Sequence, residues 1–479
     1  MPRGVGPPIM PGRPRHVGAR RKMTTGETTL KIEGARFIIT MDRTRRVIAD
    51  GSILVRGARI ARVGKAAELA GEPVDRVIDA RGMVVTPGFV NGHIHISYAH
   101  ATRGIFPDDL GRSYLPAVFR LQAALTPEEE YLTSLLALTE LLTTGTTCLL
   151  DPGSTKHLDA CLQAYAEAGC RIIVGEHVTD RPNPLNLPVY GTDEAAARTE
   201  ATITRYHGQL EGRVRAWAMP FSAEFCSPEL LRAAVHIARR HNTGLTLHHN
   251  VSPEQAQTWL GRPLHTLEEW GCLGPEVVLS HALGLDLDEV AVLARTGTRV
   301  VAVPTAAVKS GAGMTRDGLL PEMLARGVVV GLGTDAANNA NLIETQRAMY
   351  LIAVLYKDAR RDVRLIPAET ALELATIGGA AALGLADEIG SIEPGKRADL
   401  VLFDTMRPEW RTLFNPINTL VYSADGRSVH TVLVDGRVVV ENHRPLFVDV
   451  GELIYKVQEV GARLLARTGI AFAPRWPMV

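Results

Sequence analysis

The sequence predicts an α/β fold, a (β/α)8 TIM barrel joined to a small β-sandwich that is built from both chain ends. Two observations predict it: apolar runs alternate with helical stretches through the middle of the 479-residue chain, and short strand-like segments occupy both ends. A barrel needs about 250 residues, which leaves room for a second domain. We expect a sandwich over 23–86 and 390–450, a barrel over 87–389, and a C-terminal helix and tail over 451–479.

The two chain ends carry the signals of the sandwich. Residues 1–22 are rich in Arg, Pro and Gly, lack the apolar stretch of a secretory signal, and predict a flexible tail. Short β-branched segments separated by turns follow, and a matching set returns near the C-terminus. The segments are 30–33, 36–39, 52–55, 59–63, 398–403, 429–434 and 438–440.

Eight apolar runs predict the barrel strands. They are 83–85, 147–150, 171–174, 214–219, 245–248, 277–281, 299–303 and 328–332. The segments between them have helical periodicity, and the pairs Thr126-Pro127 and Ser227-Pro228 are typical helix starts. No Gly-x-Gly-x-x-Gly follows the first run, which argues against an open dinucleotide-binding sheet.

Charge and cysteine content exclude several classes of partner. The 52 basic and 52 acidic residues give a formal charge of zero, so nothing indicates a nucleic-acid or membrane-surface partner. No apolar run reaches the ~20 residues of a membrane span. The five Cys are scattered without Cys-x-x-Cys pairs, as in proteins with reduced thiols. We expect a cytoplasmic protein whose partner is a small molecule.

His93 and His95 give the strongest functional signal. Alternate residues of a strand face one side, so the two imidazoles can converge on one metal ion. The pair alone is weak evidence, because a chain with 15 His contains such pairs by chance. Position strengthens it, because function in a barrel gathers at the carboxyl ends of the strands. His248 ends the fifth predicted strand, His281 ends the sixth, and Asp335 follows the eighth.

Five short motifs extend the signal to most of the chain. They are PGFVNGHIH at 87–95, TGTT at 144–147, SHAL at 280–283, GTD at 333–335 and GSIEPGKRADL at 390–400. As a set, these motifs resemble the amidohydrolase superfamily, within the group that includes atrazine chlorohydrolase and related aminohydrolases. The resemblance extends from about residue 30 to residue 445.

The resemblance implies a metal-dependent hydrolase. His93, His95, His248 and Asp335 would bind one divalent ion per chain, with zinc favoured and cobalt, iron or manganese as alternatives. A zinc-like ion lowers the pKa of its water and supplies a hydroxide nucleophile. Asp335 would take the proton and return it to the leaving group, and His281 would hydrogen-bond the hydroxide or polarise the substrate. We expect one ion, because 214–219 lacks the Lys that bridges the ions of two-metal members.

One position departs from the ring deaminases of this group. In those enzymes Glu follows the fifth-strand His by three residues and carries protons to a ring nitrogen, whereas here the position is Val251. If His249 were the ligand, the position would be Ser252, and strand alternation favours His248.

The missing Glu favours an acyclic substrate. We therefore expect hydrolysis of a C–N or C–S bond in a urea, carbamate, thiocarbamate or amide, as in phenylurea and molinate hydrolases, and a role in xenobiotic degradation. A deaminase of a purine-like or triazine-like ring is the alternative. A barrel that serves only as a binding scaffold is a third hypothesis, which the four candidate ligands disfavour.

Candidate substrate contacts follow the same strands. Asn250 offers a neutral amide, and Arg181 offers a donor to a substrate carbonyl or an ion pair to Asp180. Phe106 and Phe221 are candidates for an apolar substrate wall or for packing at the barrel rim. Glu176 and His177 lie near the same rim and receive no role.

The C-terminal stretch 451–468 predicts an amphipathic helix. Its apolar residues Leu453, Val457, Val460 and Leu464 share one side. The helix is expected to pack on its own barrel or on a neighbouring subunit. We also expect a homo-oligomer, either a dimer or a tetramer.

Overall fold

The computed structural model describes residues 28–251 and 263–476, so the predicted tail over 1–22 lies outside the described residues. The strands are β1 (Thr29–Ile39), β2 (Val47–Arg56), β3 (Arg59–Lys65), β4 (Arg76–Asp79), β5 (Met83–Pro87), β6 (Phe89–Asn91), β7 (Thr146–Leu150), β8 (Arg171–Val174), β9 (His177–Val178), β10 (Val214–Ala216), β11 (Met219–Pro220), β12 (Leu245–His249), β13 (Val277–His281), β14 (Arg299–Ala302), β15 (Val330–Leu332), β16 (Leu400–Asp404), β17 (Val429–Val434), β18 (Arg437–Glu441) and β19 (Arg444–Pro445). The α-helices are Tyr114–Ala124, Pro127–Thr143, Leu158–Ala168, Thr192–Tyr206, Pro228–Arg240, Pro263–Glu269, Leu287–Thr296, Pro304–Lys309, Met314–Asp317, Leu320–Ala325, Thr345–Arg360, Ala368–Ala375, Ile377–Ala382, Pro416–Tyr422 and Val450–Thr468.

Eight parallel strands form the barrel, which confirms the predicted fold class. They pair as two four-stranded sheets in the orders β10-β8-β7-β6 and β12-β13-β14-β15. The sheets join on one side where the Gly92 amide donates to the Leu332 carbonyl at 2.7 Å. On the other side, parallel bridges link Ala218 to Leu245 and Ser222 to His248.

The structure corrects the prediction that 83–85 forms the first barrel strand. These residues form β5, which pairs with β1 and β16 in the sheet of the chain ends, and the barrel begins at β6. The prediction was wrong because β5 is almost entirely buried, so its apolar pattern matches that of a barrel strand. The predicted strand 214–219 is likewise two strands, β10 in the barrel and β11 paired with β9.

Both chain ends build one β unit, as the sequence predicts, but its strands form a single nine-stranded sheet rather than the two sheets of a sandwich. Its order is β19-β18-β17-β16-β5-β1-β2-β3, with β4 beside β1. The sheet curls until β3 meets the segment before β16, where the Ile60 amide donates to the Lys396 carbonyl at 2.9 Å. The curl encloses a separate apolar core, which includes Ile32, Ile53 and Leu402.

A buried charge network fastens this sheet to the amino end of the barrel. Arg171, the first residue of β8, donates to Asp399 at 2.9 and 3.2 Å and to Asp435 at 2.7 Å. Both carboxylates belong to the C-terminal half of the sheet, and all three side chains are at most 5% exposed. The network therefore joins the two units at the end opposite the histidines.

The C-terminal helix Val450–Thr468 packs on its own barrel. Its buried residues include the predicted Leu453, Val457, Val460 and Leu464. They cover the helices Tyr114–Ala124 and Pro127–Thr143. None of the helices in the described residues combines the length and the apolar character that a membrane crossing requires.

Candidate metal centre and active site

Three imidazoles converge at the carboxyl end of the barrel. His93 and His95 follow β6, and His248 lies near the end of β12. The Nε2 atoms of His95 and His248 are 3.4 Å apart, and one ring nitrogen from each of the three residues lies within 4.8 Å of the others. Two ligands at about 2.1 Å on a tetrahedral ion are about 3.4 Å apart, so the spacing suits one ion.

Asp335 joins the cluster from the loop after β15. Its Oδ1 lies 3.5 Å from Nε2 of His95, and it forms a second ligand group with His93 and His281. The Ala336 amide donates to Oδ1 at 2.7 Å, which orients the carboxylate. Asp335 and His281 have left-handed φ angles of 63° and 74°. Such strained residues cluster at sites where a side chain must point at a ligand.

The polar atoms of this cluster fit a cation. Both ring nitrogens of His93 and Nδ1 of His95 are buried without a hydrogen-bond partner among the described residues. Burial lowers the pKa of His93 and His248 well below its usual range, and the neighbouring imidazoles lower it further, so both rings are neutral. The Phe221 carbonyl lies 3.2 Å from Nδ1 of His248, which keeps the proton there and leaves Nε2 for a metal ion.

The backbone fixes His93 relative to Asp335. The amides of Thr334 and Asp335 both donate to the His93 carbonyl, at 2.9 and 3.0 Å. Gly333 permits this approach, because a Cβ there would lie 2.7 Å from Cβ of His93. Asn91 adds a side-chain bond from Nδ2 to Oγ1 of Thr334 at 2.7 Å. The first and eighth strands are therefore held together at the metal centre.

His281 and His249 take different positions. The ring of His281 lies 4.8 Å from that of His93, its Nε2 is buried and unpaired, and burial lowers its pKa to about 4. A neutral imidazole in this position can hydrogen-bond a reacting group. His249 is absent from both ligand groups of the described residues, and the structure therefore favours His248 as the ligand.

The predicted aromatic wall divides into two layers. Phe221 stacks on His248 with ring centroids 4.9 Å apart, and it packs with Phe119 and Phe225 in an apolar cluster. Phe106 lies in another layer, where it contacts Tyr114 at 5.0 Å and Phe472 at 5.5 Å. Only Phe221 of the two predicted wall residues therefore contacts a candidate metal ligand.

Asn250 and Arg181 lie at the same end of the barrel. Asn250 is buried, and neither of its side-chain polar atoms has a partner among the described residues. The side chain of Arg181 is exposed. Asp180 accepts hydrogen bonds from the Ser227 amide and from Oγ1 of Thr192, at 2.6 and 2.8 Å. Arg181 and Asp180, both described, form no ion pair with each other, which was the alternative role of Arg181.

His177 is a rim residue to which the sequence assigned no role. Its ring lies 5.6 Å from that of His248 and 5.0 Å from that of Phe221. Both ring nitrogens are buried without a hydrogen bond of ordinary geometry, although the backbone of Pro152 lies close. Burial lowers its pKa to about 3. The available signal was its place after the third barrel strand, the rule that also identified His281.

Comparison with known proteins adds a family and relatives. Residues 84–439 match the model described as the amidohydrolase family. A 5-methylthioadenosine/S-adenosylhomocysteine deaminase of Syntrophobacter fumaroxidans is 35% identical over 439 residues, which cover 90% of this chain and 96% of that protein. A 5'-deoxyadenosine deaminase of Methanobrevibacter smithii is 30% identical over 85% of this chain and 92% of that protein. The crystal structure of an atrazine chlorohydrolase of Arthrobacter aurescens TC1 complexed with zinc is 25% identical, with a TM-score of 0.81 over 90% of this chain and all of that chain.

These relatives correct the expected substrate. The prediction of an acyclic urea, carbamate, thiocarbamate or amide is wrong, because the similar proteins are named deaminases of adenine nucleosides. The prediction treated the missing carboxylate at Val251 as decisive, but Asp335 and His281 at the same rim can also carry protons. The structural likeness to the atrazine chlorohydrolase group stands. The proximity to phenylurea and molinate hydrolases and the role in xenobiotic degradation have no support among these relatives.

Proposed function

This chain belongs to the amidohydrolase family, and from that premise we propose that it is a metal-dependent deaminase of a 6-aminopurine nucleoside. It is a hydrolase that acts on carbon–nitrogen bonds other than peptide bonds, and its substrate is a small molecule. The observation that carries the proposal is the 35% identity to a 5-methylthioadenosine/S-adenosylhomocysteine deaminase over 90% of the chain. In the reaction, water adds to C6 of the purine, ammonia leaves, and the 6-oxo nucleoside is released.

We assign one divalent ion to His93, His95, His248 and Asp335. Three imidazoles and a carboxylate suit zinc, with cobalt, iron or manganese as alternatives. When bound, such an ion lowers the pKa of a water molecule and polarises the group under attack. The support is the ligand spacing and the unpaired nitrogen atoms of His93 and His95.

Asp335 and His281 carry the proton transfers in this proposal. Asp335 takes protons from the attacking water in turn and passes them to the substrate, and the Ala336 amide keeps its carboxylate in place. His281 hydrogen-bonds the reacting oxygen through Nε2, which has no other partner among the described residues. Because Val251 carries no proton, both transfers are assigned to Asp335: the first proton that it takes from the water goes to N1 of the purine ring, and the second, taken from the oxygen then bonded to C6, goes to the leaving amine.

The substrate contacts remain those proposed from the sequence. Phe221 is assigned to one face of the purine, because its ring stacks beside the metal ligand His248 with an angle of 24° between the two ring planes. Asn250 is assigned a hydrogen bond to the base, and Arg181 a contact with the substituent at the far end of the nucleoside. Phe106 is assigned to the roof of the same space.

We also propose a cytoplasmic homo-oligomer, either a dimer or a tetramer. The five Cys are buried and unpaired, which suits a reducing compartment. Light scattering on the purified protein measures the oligomeric state, and a monomer at micromolar concentration would contradict this part of the proposal.

A substrate panel tests the function. The zinc-loaded protein is incubated with 5'-methylthioadenosine, S-adenosylhomocysteine, 5'-deoxyadenosine, adenosine and an aryl urea. We expect ammonia and a 6-oxo product from at least one nucleoside, loss of turnover after chelation, and recovery when zinc is restored. Turnover of the urea with no nucleoside deaminated would overturn the proposal.

A further inference from the structure

The C-terminal helix and tail hold the segment that follows the metal ligands. This segment, residues 98–125, begins three residues after His95 and is called the roof segment here. Arg120 in its helix donates to the Thr468 carbonyl at 2.5 Å. Gly461 lies so close to the Ala101 carbonyl that any Cβ at this position would overlap it. The C-terminal helix therefore contacts the roof segment at two separate positions, Arg120 and Ala101.

Aromatic contacts continue from the tail into the roof segment. Phe472 packs on Phe106 with centroids 5.5 Å apart, and Phe106 packs on Tyr114 at 5.0 Å. Phe106 is 8% exposed, and both of its aromatic neighbours limit its movement. Because protein interiors are close-packed, removal of one ring from this group of three lets the others shift.

Hydrogen bonds connect this group of aromatic rings to the loop that carries Asp335. The Tyr114 hydroxyl donates to Oδ1 of Asn338 at 3.2 Å, and Nδ2 of Asn338 donates to Oγ1 of Thr102 at 2.9 Å. The next residue, Asn339, donates to Oδ2 of Asp335 at 3.3 Å. The loop after β15 is thus bonded to the roof segment on one side and to the metal-binding carboxylate on the other.

A second tyrosine of the roof segment lies directly beside the ligands. The ring of Tyr98 is 6.1 Å from that of His95. Burial raises the pKa of Tyr98 well above its usual range, and the charge of Asp335 raises it further, as expected for a neutral phenol close to that carboxylate. The roof segment therefore borders the space above the metal centre.

We propose that Phe472 is a positioning residue of the active site. Through Phe106 and Tyr114 it sets the place of the roof segment and of the Asp335 loop, and so it controls substrate affinity and retention of the metal ion. The affinity part rests on the proposed deaminase function, whereas metal retention does not depend on it.

The test compares variants of the full-length, zinc-loaded protein. In Phe472→Ala we expect KM for the best nucleoside to rise about 10-fold, with a smaller change in kcat, and zinc loss to a chelator to become faster. Phe472→Tyr keeps the ring and should restore both quantities. Tyr114→Phe removes only the hydroxyl that reaches Asn338 and should shift them in the same direction. Tyr455→Ala, on the helix before the tail and 75% exposed, is the matched control and should change neither.

The outcomes separate this inference from the proposed function. Unchanged KM and unchanged zinc release in both Phe472→Ala and Tyr114→Phe would overturn the positioning role. A wild-type protein that deaminates no nucleoside would overturn the proposed function alone, because the zinc-release measurement would still decide the role of Phe472. If Phe472→Ala lowered the thermal midpoint of the whole protein, the KM and the zinc release of Tyr114→Phe would decide whether the positioning role is correct.

Discussion

The two ends of the barrel treat buried polar groups in opposite ways. At the amino end, the guanidinium of Arg171 is bonded to the carboxylates of Asp399 and Asp435. At the carboxyl end, His93 is equally buried, yet neither of its ring nitrogens has a partner among the described residues. The paired charges of Arg171, Asp399 and Asp435 connect two units of the chain, whereas the unpaired ring nitrogens of His93 are available to bind a ligand.

This difference separates stability from function along one set of strands. A buried polar atom without a partner costs about 1–3 kcal/mol, so several such atoms on neighbouring imidazoles indicate a site where a ligand recovers the loss. In a buried ion pair the attraction between the charges offsets much of the cost of desolvating them, and removal of one partner leaves an uncompensated charge. Substitutions at the two ends should therefore affect different measurements.

The largest expected effect is on activity, at the carboxyl end. Asp335→Asn keeps the shape of the side chain but removes the charge and the proton acceptor. We expect kcat to fall by about 10³- to 10⁴-fold. The free energy of unfolding of the metal-free protein should change by less than about 1 kcal/mol. A variant with nearly full kcat would show that the carboxylate at this end serves no chemistry.

The next effect is on stability, at the amino end. Asp399→Ala leaves the Arg171 guanidinium buried beside one remaining carboxylate. We expect the free energy of unfolding to fall by about 3–5 kcal/mol, measured by guanidinium chloride denaturation, with kcat unchanged in the folded fraction. Asp79→Ala breaks the exposed pair with Arg81 in the same sheet and is the control, with little expected change. Equal losses in the two variants would contradict the importance of burial.

Metal binding should add stability only at the carboxyl end. A ligand that binds the folded state at 100 times its Kd stabilises that state by about 2.7 kcal/mol. We expect zinc to raise the thermal midpoint of the wild-type protein and a chelator to reverse the rise. His95→Ala should abolish the response, and His236→Asn, an exposed His on the helix Pro228–Arg240, should retain it. An unaltered response in His95→Ala would place the ion elsewhere.

The sequence predicted the carboxyl end better than the amino end, for physical reasons. His93, His95, His248, His281 and Asp335 are each at or just after a strand end, so a periodic pattern places them together. Arg171 and Asp399 are 228 residues apart, and no local pattern predicts their pairing. The run 83–85 was assigned to a barrel strand because strands buried on both faces occur in the barrel and in the sheet of the chain ends alike.

The substrate is the second feature that the sequence did not predict correctly. The missing carboxylate at Val251 is a local fact, whereas proton transfer depends on every group that surrounds the ligand. His177 illustrates this, because its ring lies beside that of His248 although 71 residues separate the two in the chain. Similarity to a named deaminase over 90% of the chain therefore corrected an expectation that rested on one position.

The smallest expected effect comes from a pair that belongs to neither end. Arg467 of the C-terminal helix donates to Glu129 at 2.7 and 2.9 Å, and it holds the pKa of Glu129 at about 2, below the ordinary 4.5. The folded state therefore prefers the charged carboxylate. The stabilisation is complete above pH 4.5 and is lost as the pH falls towards 2.

Exposure makes this contribution smaller than that of Arg171. The Arg467 side chain is 38% exposed, so solvent screens the pair, and we expect Arg467→Ala to cost about 1–2 kcal/mol at pH 7. The difference from wild type should shrink between pH 4.5 and 3 in urea denaturation series. Over this range Glu129 becomes protonated in the unfolded state of both proteins, whereas in the folded wild-type protein it stays charged, so wild type loses its advantage. Arg316→Ala, which breaks the more exposed pair with Asp317, is the control and should show a much smaller change, because solvent screens that pair more strongly. A difference that stays constant down to pH 3 would mean that Arg467 acts through packing on the helix rather than through its charge.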